Sequence, residues 1–135
     1  MFATPPSDKL PPVPEDRGIP SEVWSLIDHP SDRGRSGCGP GWSDLIVTTH
    51  RRLLEIDPTY SPGGVRQKLG WLDFQLNPGP DTDQATIERL WAVQAEVREA
   101  SKHICESCGG EGRIYEPPER GAGRTRCDAC ESCER

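Results

Sequence analysis

The sequence predicts an α+β fold in which a small core of helices and short strands carries a C-terminal zinc-ribbon-like hairpin. Three patterns predict it: helical spacing of apolar residues in 43–56 and 81–102, alternation in 65–76, and two CxxC pairs near the C-terminus. Only 33% of the 135 residues are hydrophobic, and the chain has 14 Pro and 14 Gly. We therefore expect a small core, of the kind that a bound metal often stabilises.

The chain divides into three predicted regions. Residues 1–20 form a Pro-rich arm, expected to be extended or disordered, that is either a frayed tail or a docking segment for a partner. Residues 21–102 form the α+β core. Residues 103–135 form a zinc-binding C-terminal unit packed on the long helix.

The first half of the core is predicted to be helical. A short helix is expected over 21–28, with Ser21 as its N-cap, followed by a glycine-rich loop over 31–41. A longer helix is expected over 43–56, where apolar side chains recur at helical spacing until Asp57-Pro58 ends it. Residues 60–64 have the composition of a turn.

Residues 65–76 change to a period of two. The alternating residues switch parity at Gly70, which indicates either two short strands or one bulged strand. The clearest helix follows over 81–102, with capping residues at its start. Its predicted buried face consists of Ile87, Leu90, Trp91, Gln94, Val97 and Ser101.

Four cysteines predict a structural zinc site. Cys105 and Cys108 form one CxxC pair, and Cys127 and Cys130 form a second. Two such pairs at this separation are typical of tetrahedral Zn²⁺ with four thiolate ligands. The segments 113–115 and 124–126 between them are expected to pair as a short hairpin.

Two further cysteines leave one alternative open. Cys133 stands three residues after Cys130 and can replace it as the fourth ligand. Cys130 is favoured because it gives the usual CxxC spacing. Cys133 is two residues from the end of the sequence, where fraying is expected. Cys38 is remote in sequence, and we interpret it as a packed thiol.

Several segments resemble one known family. They are Cys38–Trp42 (CGPGW) followed by Leu45-Ile46, Ile56–Tyr60 (IDPTY), Val65–Phe74 (VRQKLGWLDF), Cys105–Gly109 (CESCG) and Arg126–Cys130 (RCDAC). With them the chain is similar to a family of small uncharacterised proteins of bacteria and their phages that has a C-terminal zinc knuckle with four cysteine ligands. The resemblance covers roughly residues 38–130. It implies an α+β fold and a phage or prophage setting, and it brings no established activity with it.

No pattern in the sequence predicts catalysis. The three histidines, His29, His50 and His103, do not form a Ser-His-Asp or Cys-His pattern with other residues. A nuclease of the HNH type needs a histidine base beside its metal knuckle, and no histidine follows Cys105. We therefore predict a protein without enzymatic activity.

Charge gives a mixed indication about partners. The formal net charge of −6 opposes general attraction to nucleic acid, although a local basic patch can still bind it. We predict a candidate binding surface that consists of Arg51, Arg52, Arg66, Lys68, Arg113, Arg124 and Arg126. The first four converge if the helix over 43–56 packs on the strands.

The leading hypothesis is a zinc-stabilised binding protein, an accessory factor of a phage or prophage that binds or inhibits a host macromolecule, in the first place a host protein. Trp24, Trp42 and Trp71 are its candidate exposed contacts, and Trp91 is assigned to the core. The alternative is a zinc-ribbon protein that binds nucleic acid or regulates transcription. The sequence has no apolar run typical of a membrane span or signal peptide, which predicts a cytoplasmic protein.

Overall fold

Two amphipathic helices and one β-hairpin form the centre of the fold. They belong to a computed structural model that describes residues 17–115 and 123–133, with side chains as far as residue 131. Helix α3 (Ser43–Ile56) packs against α4 (Gln84–Ser101), and α4 packs on the second strand of the hairpin. The predicted α+β class is confirmed. Most of the predicted N-terminal arm, residues 1–16, lies outside the described residues.

The N-terminal segment differs from the sequence prediction. Helix α1 (Ser21–Trp24) is shorter than expected, and Ser21 does not cap it. The predicted loop over 31–41 contains a second helix, α2 (Pro30–Arg35), whose first-turn proline is compatible with a helix start. Ile19 is buried in the core, so packing begins within the range predicted as an arm.

The two central helices each bury one face, but that of α4 only partly matches the predicted one, because Ile87 and Gln94 are half-buried and Val93 is buried. In α3 the buried residues are Ile46, Thr49, His50 and Leu53, and in α4 they are Leu90, Val93, Val97 and Ser101. The Asp83 side chain accepts a hydrogen bond from the Thr86 N–H, as expected of an N-cap.

Two of the tryptophan assignments were wrong. Trp42 is fully buried, whereas Trp91 is 42% exposed. Leu90, Val93 and Val97 fall on one stripe of α4, and Trp91 lies about 100° away from Leu90 around the helix. Trp24 and Trp71 are half-buried, and each lies under a cation: Arg33 is 4.9 Å from the Trp24 ring centroid, and the Lys102 ammonium is 5.2 Å from that of Trp71.

The period-two segment forms two strands rather than one. Strands β1 (Ser61–Lys68) and β2 (Trp71–Asn77) pair antiparallel, and the Lys68–Trp71 pair closes a two-residue turn. Leu72, Phe74 and Leu76 of β2 point into the core, as the alternation predicts. The expected turn over 60–64 was wrong, because most of it belongs to β1 and contains a register shift between Pro62 and Val65.

The carboxylate of Asp57 joins the end of α3 to the loop before α4. Its oxygens accept hydrogen bonds from the Thr59 N–H and hydroxyl, from the Gly79 N–H at 3.0 Å and from the Thr82 hydroxyl at 2.7 Å. These donors hold the pKa of Asp57 well below its ordinary value, with the Thr59 hydroxyl making the largest contribution. Each donor favours the charged form.

Acid should therefore destabilise the fold through this residue. A carboxyl with a depressed pKa in the folded state stabilises fully above its unfolded value, near 3.8, and loses that contribution as the pH falls further. We expect Asp57→Asn to lower the urea midpoint at pH 7 and to flatten its decline between roughly pH 4 and pH 2. The control is Asp81→Asn, because Asp81 is exposed. Equal midpoints for the two variants at pH 7 would contradict the assignment.

The C-terminal region adds a second small sheet and a last helix. Strands β3 (Arg113–Tyr115) and β4 (Arg124–Arg126) pair antiparallel over the segments that the sequence predicted. Helix α5 (Asp128–Cys133) follows and was not expected. In the described residues the fold thus has five α-helices and two two-stranded antiparallel sheets.

Candidate metal centre

The four predicted cysteines lie together. The sulfur atoms of Cys105, Cys108, Cys127 and Cys130 are all within 4.8 Å of one another. The Sγ atoms of Cys108 and Cys127 are 3.7 Å apart. Two thiolates bound tetrahedrally at a Zn–S distance of about 2.3 Å would be separated by about 3.8 Å. The arrangement therefore fits one metal ion with four sulfur ligands.

Backbone N–H groups point at the sulfurs in both CxxC turns. The Cys108 N–H donates to Cys105 Sγ at 3.4 Å, and the Cys130 N–H donates to Cys127 Sγ at the same distance. In the first turn the Gly110 N–H also donates to Cys108 Sγ. Gly109 has a φ of +84°, a conformation that glycine adopts without steric cost. These donors stabilise negative charge on sulfur, which a thiolate ligand requires.

The local surroundings give the thiols of the cluster different pKa values. Burial raises the pKa of Cys105, but hydrogen bonds from the N–H groups of Cys108, Cys127 and Ser107 outweigh it and bring that pKa to about 6. The neighbouring thiols, Cys127 first, raise the pKa of Cys130 to about 12. Four thiolates at these distances repel one another, so full ionisation of the cluster needs a bound cation.

The first CxxC turn is fixed to the core by the CGPGW segment. The Gly41 N–H donates to the Glu106 carbonyl at 2.6 Å, and the Gly39 N–H donates to Glu106 Oε2 at 2.9 Å. The buried indole of Trp42 donates from Nε1 to the Ile104 carbonyl at 2.9 Å. Gly39 and Gly41 indicate that another backbone segment comes close to this one, but the sequence does not show which segment it is.

The β1–β2 hairpin holds the second half of the centre. Thr125, which is fully buried on β4, donates from its hydroxyl to the Gly70 carbonyl at 2.5 Å. The Glu106 N–H donates to the Thr125 carbonyl at 2.8 Å and so joins both halves of the centre. Gln67 donates to the Gly123 carbonyl. Sequence reasoning missed Glu106 and Gln67, since a charged or amide side chain carries no signal for such a role.

Gly41 gives a direct test of this docking. A methyl group at Gly41 would overlap the Cys105 carbonyl oxygen and lie 2.6 Å from the Glu106 carbonyl. We expect Gly41→Ala to destabilise the protein by about 1–3 kcal/mol in urea denaturation, because a backbone contact must open. Gly34→Ala is the matched control, because a methyl group added there has no neighbour within 4 Å. Gly34 also lies in helix α2, where alanine is favoured over glycine. A Gly41→Ala protein as stable as this control would contradict the docking.

Cys38 and the three histidines do not join the cluster. Burial raises the pKa of the Cys38 thiol to about 12, in accord with its interpretation as a packed thiol. The side chain of Cys133 lies outside the described residues. The preference for Cys130 over Cys133 as the fourth ligand therefore stays a prediction. His50 is buried with its Nδ1 atom 2.5 Å from the Tyr60 hydroxyl, and burial lowers its pKa.

The seven predicted basic residues are distributed over several elements. Four of them form ion pairs: Arg51 with Glu22, Arg52 with Glu96, Arg66 with Asp73 and Arg113 with Asp128. Arg126 is half-buried and is also engaged. Lys68 and Arg124 are exposed. Arg51 pairs with a residue of α1 and Arg52 with a residue of α4. They therefore do not form one basic patch with Arg66 and Lys68.

No family model matches the chain, and comparisons with curated proteins and with solved structures find no match either. Among the described helices, none has the length and apolar character needed to cross a bilayer. The centre itself is therefore the main guide to function.

Proposed function

We propose that the chain is a non-enzymatic binding protein stabilised by one structural Zn²⁺ on Cys105, Cys108, Cys127 and Cys130. The supporting observation is the four-sulfur cluster, whose members all lie within 4.8 Å of one another. Four protein ligands complete a tetrahedron and leave no open position for a substrate, which is typical of structural rather than catalytic zinc. The β3–β4 pair beside it then corresponds to a zinc-ribbon-like hairpin.

Zinc is the metal that this ligand set favours, with iron as the competitor. Protein purified without added metal should contain one zinc per chain by elemental mass spectrometry and should be colourless. An iron-containing, coloured preparation would contradict the proposed metal, and a metal-free folded preparation would contradict the structural role.

The proposed partner is a host macromolecule, in the first place a host protein, and the proposed setting is a phage or prophage acting in the host cytoplasm. The setting depends on the family resemblance alone. Support for a binding role comes from the half-buried Trp71 and the exposed Leu69, which leave apolar surface at one end of the β1–β2 hairpin. A tagged chain should enrich a specific host protein from lysate over a tag-only control. Failure to enrich any protein would argue against this role.

A second candidate is a zinc-ribbon protein that binds nucleic acid or regulates transcription. The observation in its favour is that the exposed cations Lys68 and Arg124 lie on neighbouring segments beside the zinc hairpin. It predicts a gel shift with a DNA or RNA oligonucleotide at low salt that weakens steeply as salt is added. The absence of a shift at low salt would eliminate it.

A further inference from the structure

The turn between β1 and β2 has an unexpected residue. Leu69 and Gly70 are its two central residues, with φ values of +54° and +98°. Positive φ at both positions is the mark of a type I′ turn, which strongly favours Asn-Gly or Asp-Gly. A leucine in this conformation is uncommon, because its branched side chain crowds the backbone. The turn itself therefore does not account for Leu69.

Core packing does not account for it either. The Leu69 side chain is 51% exposed, more than the other large apolar residues in the described part of the chain. An apolar side chain kept in water and in an unfavourable backbone conformation suggests a role outside the folded chain.

Two exposed cations without a hydrogen-bond or ion-pair partner in the described residues belong to the segments that meet at this turn. Lysine and arginine side chains in the described residues nearly all have a hydrogen-bond or ion-pair partner. The exceptions are Lys68, Arg89 and Arg124, all of them exposed. Lys68 immediately precedes Leu69, and the backbone of Arg124 lies against the turn, 3.1 Å from where a Cβ on Gly70 would be. In a chain with a net charge of −6, this is a local positive region.

The same region is held rigidly. The buried Thr125 hydroxyl donates to the Gly70 carbonyl, which fixes the turn against β4. Trp71 follows the turn and is half-buried under the Lys102 ammonium. A residue on a turn whose backbone is held in this way loses little backbone freedom on binding. We call Lys68, Leu69, Trp71 and Arg124 the tip surface.

We propose that the tip surface is the docking site for a protein partner that offers an apolar pocket to Leu69 and carboxylates to Lys68 and Arg124. The proposal rests on the binding function proposed above and assigns it to one surface. The cations require an acidic partner surface, and burial of an isolated leucine requires a desolvated pocket. A protein provides both, and a phosphate backbone provides only the charge.

Photo-crosslinking in the cell that naturally carries the gene tests the surface. A diazirine amino acid is placed at position 69 and, as the control, at Leu26, the other exposed leucine, which is 43% exposed. We expect one acidic protein to crosslink from position 69 and not from position 26. That protein is then purified, and its Kd for the wild-type chain and for variants is measured by titration.

Leu69→Asn is the decisive variant. Asparagine suits the turn, so the denaturation midpoint should stay equal or rise, while the Kd should increase about tenfold or more as the anchor is lost. Lys68→Glu combined with Arg124→Glu should also weaken binding and reduce its salt dependence, and Leu26→Asn should leave the Kd unchanged. A merely structural residue would not show opposite changes in stability and binding.

Other outcomes overturn the proposal in distinguishable ways. If crosslinks form from position 26 but not from position 69, or if Leu69→Asn leaves the Kd unchanged, the partner binds another surface. The proposed binding function is then retained. Crosslinks from position 69 to nucleic acid rule out the protein partner and favour the second candidate function. Absence of crosslinks from position 69, with a host protein still enriched by the tagged chain, rejects the tip surface alone; absence of both the crosslinks and the enrichment rejects the binding function as well.

Discussion

Cys105→Ser is expected to lose the bound metal and to unfold the C-terminal unit. Cys105 is fully buried, its sulfur receives the Cys108 N–H, and its carbonyl accepts the Gly109 N–H at 2.9 Å. Structural zinc contributes roughly 10–16 kcal/mol in small zinc-finger peptides, which is comparable with the whole stability of a domain of this size, about 5–15 kcal/mol. Removal of one ligand should therefore abolish the local fold instead of silencing a folded protein.

Metal content and hydrogen exchange measure this result together. Zinc should fall from one per chain to near zero, and the amide protons of Glu106 and Gly109, which donate to carbonyls within the centre, should lose their protection. The control is Cys38→Ser, which removes a thiol outside the cluster and should retain the zinc. A Cys105→Ser protein with full zinc occupancy would show that the cluster is not the metal site.

The same assay decides between Cys130 and Cys133. If Cys130 is the fourth ligand, Cys130→Ser should lose most of the zinc, whereas Cys133→Ser should keep it. The structure places the Cys130 sulfur within 4.8 Å of the other three, and its N–H donates to Cys127 Sγ, whereas the side chain of Cys133 lies outside the described residues. The reverse pattern of zinc loss would assign Cys133.

The sequence predicts the cluster of four cysteines well because the geometry of each pair is local. A CxxC turn brings two sulfurs together through its own backbone, and helices α3 and α4 follow from spacing within each segment. The contacts that attach the centre to the core join Gly41 with Glu106 and Thr125 with Gly70, residues that are far apart in sequence. Such contacts depend on how the elements pack, which single-sequence patterns do not encode.

The basic surface shows the same limit. Arg51 and Arg52 are adjacent on α3, but their carboxylate partners, Glu22 and Glu96, come from segments on either side of it in the sequence. Charge counting along the chain cannot reveal this compensation. The cations that remain uncompensated at the tip surface are identified only by the fold. Of the seven predicted residues, Lys68 and Arg124 are the two without a hydrogen-bond or ion-pair partner in the part of the chain that the structure describes.

Trp42→Ala is expected to be the most damaging single change in the core. The fully buried indole joins helix α3 to the metal centre through its hydrogen bond to the Ile104 carbonyl. Truncation of a buried tryptophan to alanine costs about 3–5 kcal/mol through lost packing and the cavity left behind. The unpaired carbonyl adds a further penalty. A domain of this size can lose most of its stability in this way.

Trp91→Ala is the matched comparison, because it removes the same atoms from a residue that is 42% exposed. Its effect should be less than half that of Trp42→Ala, since much of the side chain is already in water, no cavity forms in the core and alanine favours the helix. Urea denaturation of the two variants measures the difference. Trp42→Phe helps to separate the two contributions, because it removes the donor to Ile104 but only a small part of the buried ring system. If Trp42→Phe destabilises the protein as much as Trp42→Ala, the hydrogen bond to the Ile104 carbonyl contributes more than the packing. Equal stability of the Trp42→Ala and Trp91→Ala proteins would contradict the buried position of Trp42.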